Sequence, residues 1–140
     1  MDALKIAFCD DDKTSLNVIA GAVASILQQQ EIPAQVEKYT SPLELLDCCQ
    51  RMQMDLVFLD IEMPGLNGIE LGQKLREVTA ATEIIYVSHR EDCVFHALQV
   101  HPFGFVRKSH FLKDIEHVTR SYLTMLEKRR TEKTVVVQTQ

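Results

Sequence analysis

The sequence predicts an α/β domain: a five-stranded parallel sheet with helices on both faces. Two patterns carry that prediction. Short, nearly continuous apolar runs alternate with longer segments of helical spacing, as expected when strands are buried on both faces and crossed over by helices. Four of the apolar runs end on a polar or charged residue, at Asp10, Asp60, Ser88 and Lys108. In parallel sheets such ends converge on one edge, where ligands bind. The length of 140 residues suits a single core.

The elements follow in order. Leu4 to Cys9 reads as a strand entering Asp10-Asp11-Asp12. Leu16, Ile19, Ala20, Val23, Ile26 and Leu27 recur at helical spacing. Pro33 breaks that helix before a strand at Gln35 to Tyr39. Ser41-Pro42-Leu43-Glu44 is a helix start, with a capping hydroxyl, a first-turn proline and a glutamate reaching back. That helix runs to about Met52, and Leu56 to Leu59 is the next strand. Asn67 with Glu70 starts a helix through about Val78. Glu83 to Val87 is β-branched and aromatic, hence a strand. A short helix from about Asp92 to Gln99 is broken at His101-Pro102, and Phe103 to Arg107 reads as the last strand. Ser109 is placed to cap a final helix carrying Leu112, Ile115, Val118, Tyr122, Met125 and Leu126. Glu127 to Lys133 reads as a polar hinge, and Val135-Val136-Val137 as a further strand.

Composition narrows the class. Hydrophobic content of 46% and charged content of 25% are ordinary for a globular protein. Cys9, Cys48, Cys49 and Cys93 form no CxxC pair, which predicts inert thiols in a reducing compartment. No signal-peptide pattern or membrane-spanning run is present in the sequence, so a soluble, cytoplasmic protein without membrane contact is expected. The net charge of −5 divides into −9 over residues 1–106 and +4 over 107–140. An acidic main body is not a nucleic-acid surface.

The strand ends bring together carboxylates, one hydroxyl and one ammonium. Clustered carboxylates raise each other's pKa, and a hard divalent cation relieves the repulsion. Magnesium suits one or two protein carboxylates plus phosphate and water oxygens. One carboxylate is then free to attack a phosphoryl group, with Lys108 pairing its oxygens and Ser88 donating a hydrogen bond to it.

This constellation resembles the receiver domain of two-component response regulators, with its flavodoxin-like (βα)5 fold, over about residues 1–126. The most specific piece is Leu59-Asp60-Ile61-Glu62-Met63-Pro64-Gly65-Leu66-Asn67-Gly68. The resemblance implies that Asp60 accepts a phosphoryl group from a sensor histidine kinase. It implies Mg2+ at Asp10, Asp11 and Asp60 with the backbone carbonyl of Glu62, Asp11 being the more direct ligand. Ser88 matches the switch hydroxyl, Phe105 the switch aromatic and Lys108 the phosphoryl-pairing lysine. Such a protein is a phosphoacceptor that assists only its own phosphorylation and dephosphorylation. Homodimerisation on phosphorylation is a further expectation.

Cys9-Asp10-Asp11-Asp12, Val100-His101-Pro102-Phe103 and Phe105 to His110 resemble, more narrowly, receivers that precede a LytTR-type DNA-binding domain, among them quorum-sensing regulators of Gram-positive bacteria. Residues 127–140 then read as a linker and the start of such a domain, which would carry the DNA binding and transcription regulation. Two positions depart from the family. Ser109 stands where a proline usually follows the lysine, and Phe105 lacks the hydroxyl of the commoner tyrosine.

Two other readings stay open on the residues. Asp10-Asp11-Asp12-Lys13-Thr14 fits the DxDxT pattern of haloacid-dehalogenase-type phosphohydrolases, with Asp10 as nucleophile and Asp12 as general acid, although Asp60 then has no role. A receiver-like module acting without phosphorylation gives no reason to gather so many repelling charges. A flavin-binding flavodoxin is disfavoured, because its phosphate loop would here be three aspartates.

Overall fold

The computed structural model describes the backbone of residues 3–139 and the side chains of residues 3–132; Met1, Asp2 and Gln140 lie outside the described residues. The elements are β1 (Leu4–Cys9), α1 (Lys13–Gln29), β2 (Ala34–Tyr39), α2 (Pro42–Arg51), β3 (Leu56–Asp60), α3 (Gly68–Val78), β4 (Glu83–Ser88), α4 (Val94–Leu98), β5 (Gly104–Arg107) and α5 (Phe111–Thr139). The strands form one five-stranded sheet in the order β2-β1-β3-β4-β5. Every pairing is parallel. The predicted fold class is the observed one.

Alternation along the strands divides the core into two layers. Ile6, Phe8 and Phe58 face α1 and α5, meeting Val23, Ile115 and Tyr122. Ala7, Cys9, Val57 and Leu59 face α2, α3 and α4, meeting Leu45 and Leu71. Phe8 and Phe58 stack with centroids 5.0 Å apart. β3 is buried at every position, as the central strand must be. Its side chains contribute about 1.5–3 kcal/mol each when an apolar residue leaves water completely.

The caps anticipated from sequence form. The Ser41 side chain accepts from the Glu44 amide at 3.5 Å, with Pro42 in the first turn. Asn67 and Glu70 exchange both bonds of a capping box, at 2.9 and 3.3 Å. Asp12 caps α1 by accepting from Thr14 N–H at 3.1 Å.

Three expectations need correction. Ser109 caps no helix: Lys108–His110 is a 3-10 turn leading into α5, and the Ser109 hydroxyl meets His110 Nδ1 at 2.9 Å. The Asp114 carboxylate takes the exposed amide there instead, accepting from Arg107 N–H at 3.0 Å. The short helix at 92–99 is a 3-10 turn, Glu91–Cys93, followed by five residues of α-helix. Finally, Glu127 to Lys133 is no hinge and Val135 to Val137 no strand, because α5 continues to Thr139. Glu, Lys and Arg are good helix formers, no glycine or proline intervenes, and propagation is cheap once a helix exists. Arg130 also pairs with Glu127 at 2.8 Å across one turn.

All four cysteines are free, with Cys9, Cys48 and Cys49 buried. Burial pushes the Cys9 thiol up to about 12 and Cys49 to about 11, which keeps both in the unreactive thiol form. Among the described residues no helix is long and apolar enough to cross a membrane.

Candidate functional site

The parallel register places the carboxyl ends of β1, β3, β4 and β5 at one edge. Asp10 follows β1 and is 1% exposed; Asp60 ends β3 and is 5% exposed. Burying two carboxylates side by side is costly unless each finds partners. Asp10 finds them on both oxygens. It accepts from Asp12 N–H at 2.9 Å and from Lys108 Nζ at 3.0 Å. Lys108 also stands 3.6 Å from Asp60.

Asp60 is less well served. The Glu62 backbone amide favours its ionised form, but only weakly. Burial first, then the negative charge of Asp10, push its carboxyl up to about 7 against the pull of Lys108. Oxygens of Asp10, Asp11 and Asp60 lie within 4.8 Å of one another, with Asp11 exposed to solvent. Three carboxylates against one ammonium leave an excess of negative charge. Hard oxygen donors at that spacing fit a hard divalent cation such as Mg2+, with the exposed Asp11 side open for water and a further oxygen ligand.

The loop behind Asp60 follows from its sequence. Pro64 and Gly65 turn the chain, Gly65 at a φ of +80° that a side chain would resist. Gly68 N–H then donates to the Ile61 carbonyl at 2.9 Å, closing the loop onto the start of α3.

The other expected residues are placed nearby but not on Asp60. Ser88 is fully buried at the end of β4, and its hydroxyl accepts from Arg90 N–H at 2.9 Å. Phe105 is half-buried and packs on the α2–α4 layer. The Glu62 side chain is exposed and lies 3.9 Å from Arg90. Asp12, the alternative general acid, has its carboxylate turned to the α1 amides as a cap.

Sequence reasoning missed two groups around the edge. Arg90 grips Asp92 with two bonds, at 3.0 and 2.7 Å, beside the Ser88 hydroxyl. Arg107 grips Asp114 with two more, at 2.8 and 2.9 Å. The second pair had a weak signal, an acid one turn inside the last helix after a strand-end arginine. The first had none beyond its short spacing.

Residues 6–120 match the response regulator receiver domain family. The chain is similar to an uncharacterised response regulatory protein of Yersinia pestis, 33% identical over 82 residues, covering 59% of this chain and 32% of that protein. It is also similar to the transcriptional regulatory protein DesR of Bacillus subtilis (strain 168), 24% identical over 106 residues, covering 76% of this chain and 53% of DesR. Thus the chain spans about a third to a half of the length of these curated relatives. A CheY-like receiver domain protein from Methanospirillum hungatei JF-1 superposes with a TM-score of 0.77 at 19% identity, covering 91% of this chain and 99% of that one. The response regulatory domain of mrkE from Klebsiella pneumoniae gives 0.76 at 19% identity, with 89% and 99% covered. Both likenesses are of fold alone.

Proposed function

The chain belongs to the response regulator receiver domain family, and on that premise we propose that Asp60 accepts a phosphoryl group from the phosphohistidine of a sensor histidine kinase. As the receiver domain of a two-component regulator it is a phosphoacceptor rather than a classical enzyme. The observation that carries the proposal is the Asp60 carboxylate at the mouth of the central strand, 3.6 Å from Lys108 and clustered with Asp10 and Asp11.

Asp10, Asp11 and Asp60, with the Glu62 carbonyl, would hold Mg2+. Bound there, the ion supplies neutralisation of the phosphoryl oxygens and of the carboxylate cluster. Asp60, as carboxylate, attacks phosphorus in line. The P–N bond to the kinase imidazole breaks and its electron pair stays on the departing nitrogen. Lys108, already between Asp10 and Asp60, pairs with the new phosphoryl oxygens. Ser88 exchanges its bond from Arg90 N–H for one it donates to the phosphoryl group, which shifts the turn before α4. Phe105, beside that turn on β5, follows as the switch aromatic.

The exposed apolar side chains Phe95 and Leu98 on α4 and Leu112 on α5 support a homodimer formed on phosphorylation. The output is transcription regulation through a LytTR-type DNA-binding domain, with the receiver as residues 1–126 and residues 127–140 leading into that domain, in the cytoplasm. DesR, itself a transcriptional regulatory protein by its name, supports the coarser part of that reading. The test is chemical. Incubation with a small phosphodonor and Mg2+ should add one phosphoryl group, lost on treatment with hydroxylamine as an acyl phosphate must be. Chelation of the metal should prevent it. A hydroxylamine-stable adduct, or none, contradicts the proposal.

A further inference from the structure

Tyr86 lies in the middle of β4, opposite Leu59 of β3, the residue before Asp60. It is fully buried, and its hydroxyl donates to the Gly68 carbonyl at 3.1 Å. A phenol in a core needs a partner, but this partner is already the acceptor that α-helix geometry assigns to the Gly72 amide. The hydroxyl is therefore an addition to a helix that could form without it.

The surroundings are shaped for that addition. A Cβ at Gly72 would stand 2.2 Å from the Tyr86 oxygen. Glycine inside a helix is unfavourable, so the gap it leaves for the hydroxyl is kept against local preference. A Cβ at Gly68 would stand 2.2 Å from the Asp60 carbonyl oxygen and 2.8 Å from Ile61 Cα. The first turn of α3 thus presses directly on the backbone of the phosphoacceptor. Gly68 N–H holds Ile61 from one side while Tyr86 holds Gly68 from the other.

We propose that Tyr86 is a positioning residue whose hydroxyl, through Gly68, fixes the Asp60–Gly68 loop and so sets how well Asp60 and the Glu62 carbonyl bind Mg2+. The inference rests on the metal-binding reading above and adds to it a buried residue that touches neither metal nor phosphoryl group. Residues that orient ligands from behind commonly change metal affinity about tenfold or more when altered.

The hydroxyl and the packing can be separated. Tyr86→Phe removes the bond alone. Gly72→Ala drives a methyl into the hydroxyl. In the double variant the methyl occupies the space the hydroxyl leaves, and only the end of Val100, 2.9 Å from that Cβ, must move. Mg2+ affinity by calorimetric titration and Tm would be measured for the wild type and all three variants. Tyr86→Phe is expected to bind Mg2+ about tenfold more weakly with Tm nearly unchanged. The double variant is expected to regain the Tm lost in Gly72→Ala while its Mg2+ affinity stays as low as in Tyr86→Phe. Wild-type affinity in Tyr86→Phe overturns the inference, and so does a double variant that regains affinity together with Tm. A wild type that binds Mg2+ but is not phosphorylated on Asp60 overturns the phosphoacceptor reading and leaves this comparison standing. A wild type that binds no Mg2+ overturns both.

Discussion

In the proposed reaction Asp60 has to be ionised to attack, yet its surroundings favour the neutral acid. Its carboxyl, at about 7 in the metal-free fold against an ordinary 3.8, makes folding stability depend on pH with a definite sign. A raised carboxyl favours the fold below pH 4, where it is protonated in both states. That contribution is lost progressively as pH rises from about 4 to about 7, where the unfolded carboxyl is ionised while the buried one still holds its proton. Metal-free wild type should therefore lose stability between about pH 4 and pH 7 that Asp60→Asn retains, by roughly 2–4 kcal/mol in chemical denaturation, with no further loss from this group above pH 7. Equal slopes for the two proteins would contradict this account of the site. Thr119 offers a simpler test at the same scale. It is 1% exposed and its hydroxyl lacks a hydrogen-bond partner. Thr119→Val, which keeps the shape, should stabilise the protein by about 1 kcal/mol. The site residues that terminate apolar runs, Asp10, Asp60 and Lys108, were legible because an isolated charge there demands explanation. The Tyr86 hydroxyl was not, since its partner is a main-chain carbonyl that only the folded chain brings near.

At the scale of elements, the beginnings of helices decide where site residues stand. The Asn67–Glu70 capping box starts α3 immediately after the loop that follows Asp60. Asn67→Ala should cost about 1 kcal/mol of stability in urea denaturation. The start of α5 works differently. Arg107 donates to Asp114 from its amide and its guanidinium, holding that carboxyl down at about 2. A depressed carboxyl stabilises above its ordinary pKa, and that stabilisation is lost as pH falls from about 4 to about 2. Asp114→Asn should remove that part of the acid transition, seen as a shallower loss of Tm below pH 4. An unchanged acid limb would show that the pair adds nothing to stability. Sequence gave fair access to this level where caps are local. Ser41 and Asn67 could be read directly, each with its glutamate three residues on. Ser109 misled because the acid that captures the strand-end amide lies five residues further on, at Asp114. The valines after Thr134 misled for another reason: their β preference is weaker than the continuity of a helix already running through charged residues.

Over the whole molecule, the order β2-β1-β3-β4-β5 sets β1 and β3 side by side at the centre of the sheet. That adjacency, invisible in the linear sequence but implied by parallel alternation, puts Asp10 against Asp60. It also explains why a carboxylate cluster is tolerated in an otherwise apolar sheet. The cost falls on one edge, while two continuous apolar layers hold the rest. A cation that binds only the folded protein should repay that cost. Mg2+ at a hundred times its dissociation constant should add about 2.7 kcal/mol of stability, and Asp11→Asn should largely abolish the gain. The most direct test of the central claim asks which carboxylate forms the bond. With Mg2+ and a small phosphodonor, labelling should vanish in Asp60→Asn, and the adduct in the wild type should map to Asp60. Labelling that survives in Asp60→Asn but is lost in Asp10→Asn would contradict the account and assign the nucleophile to Asp10.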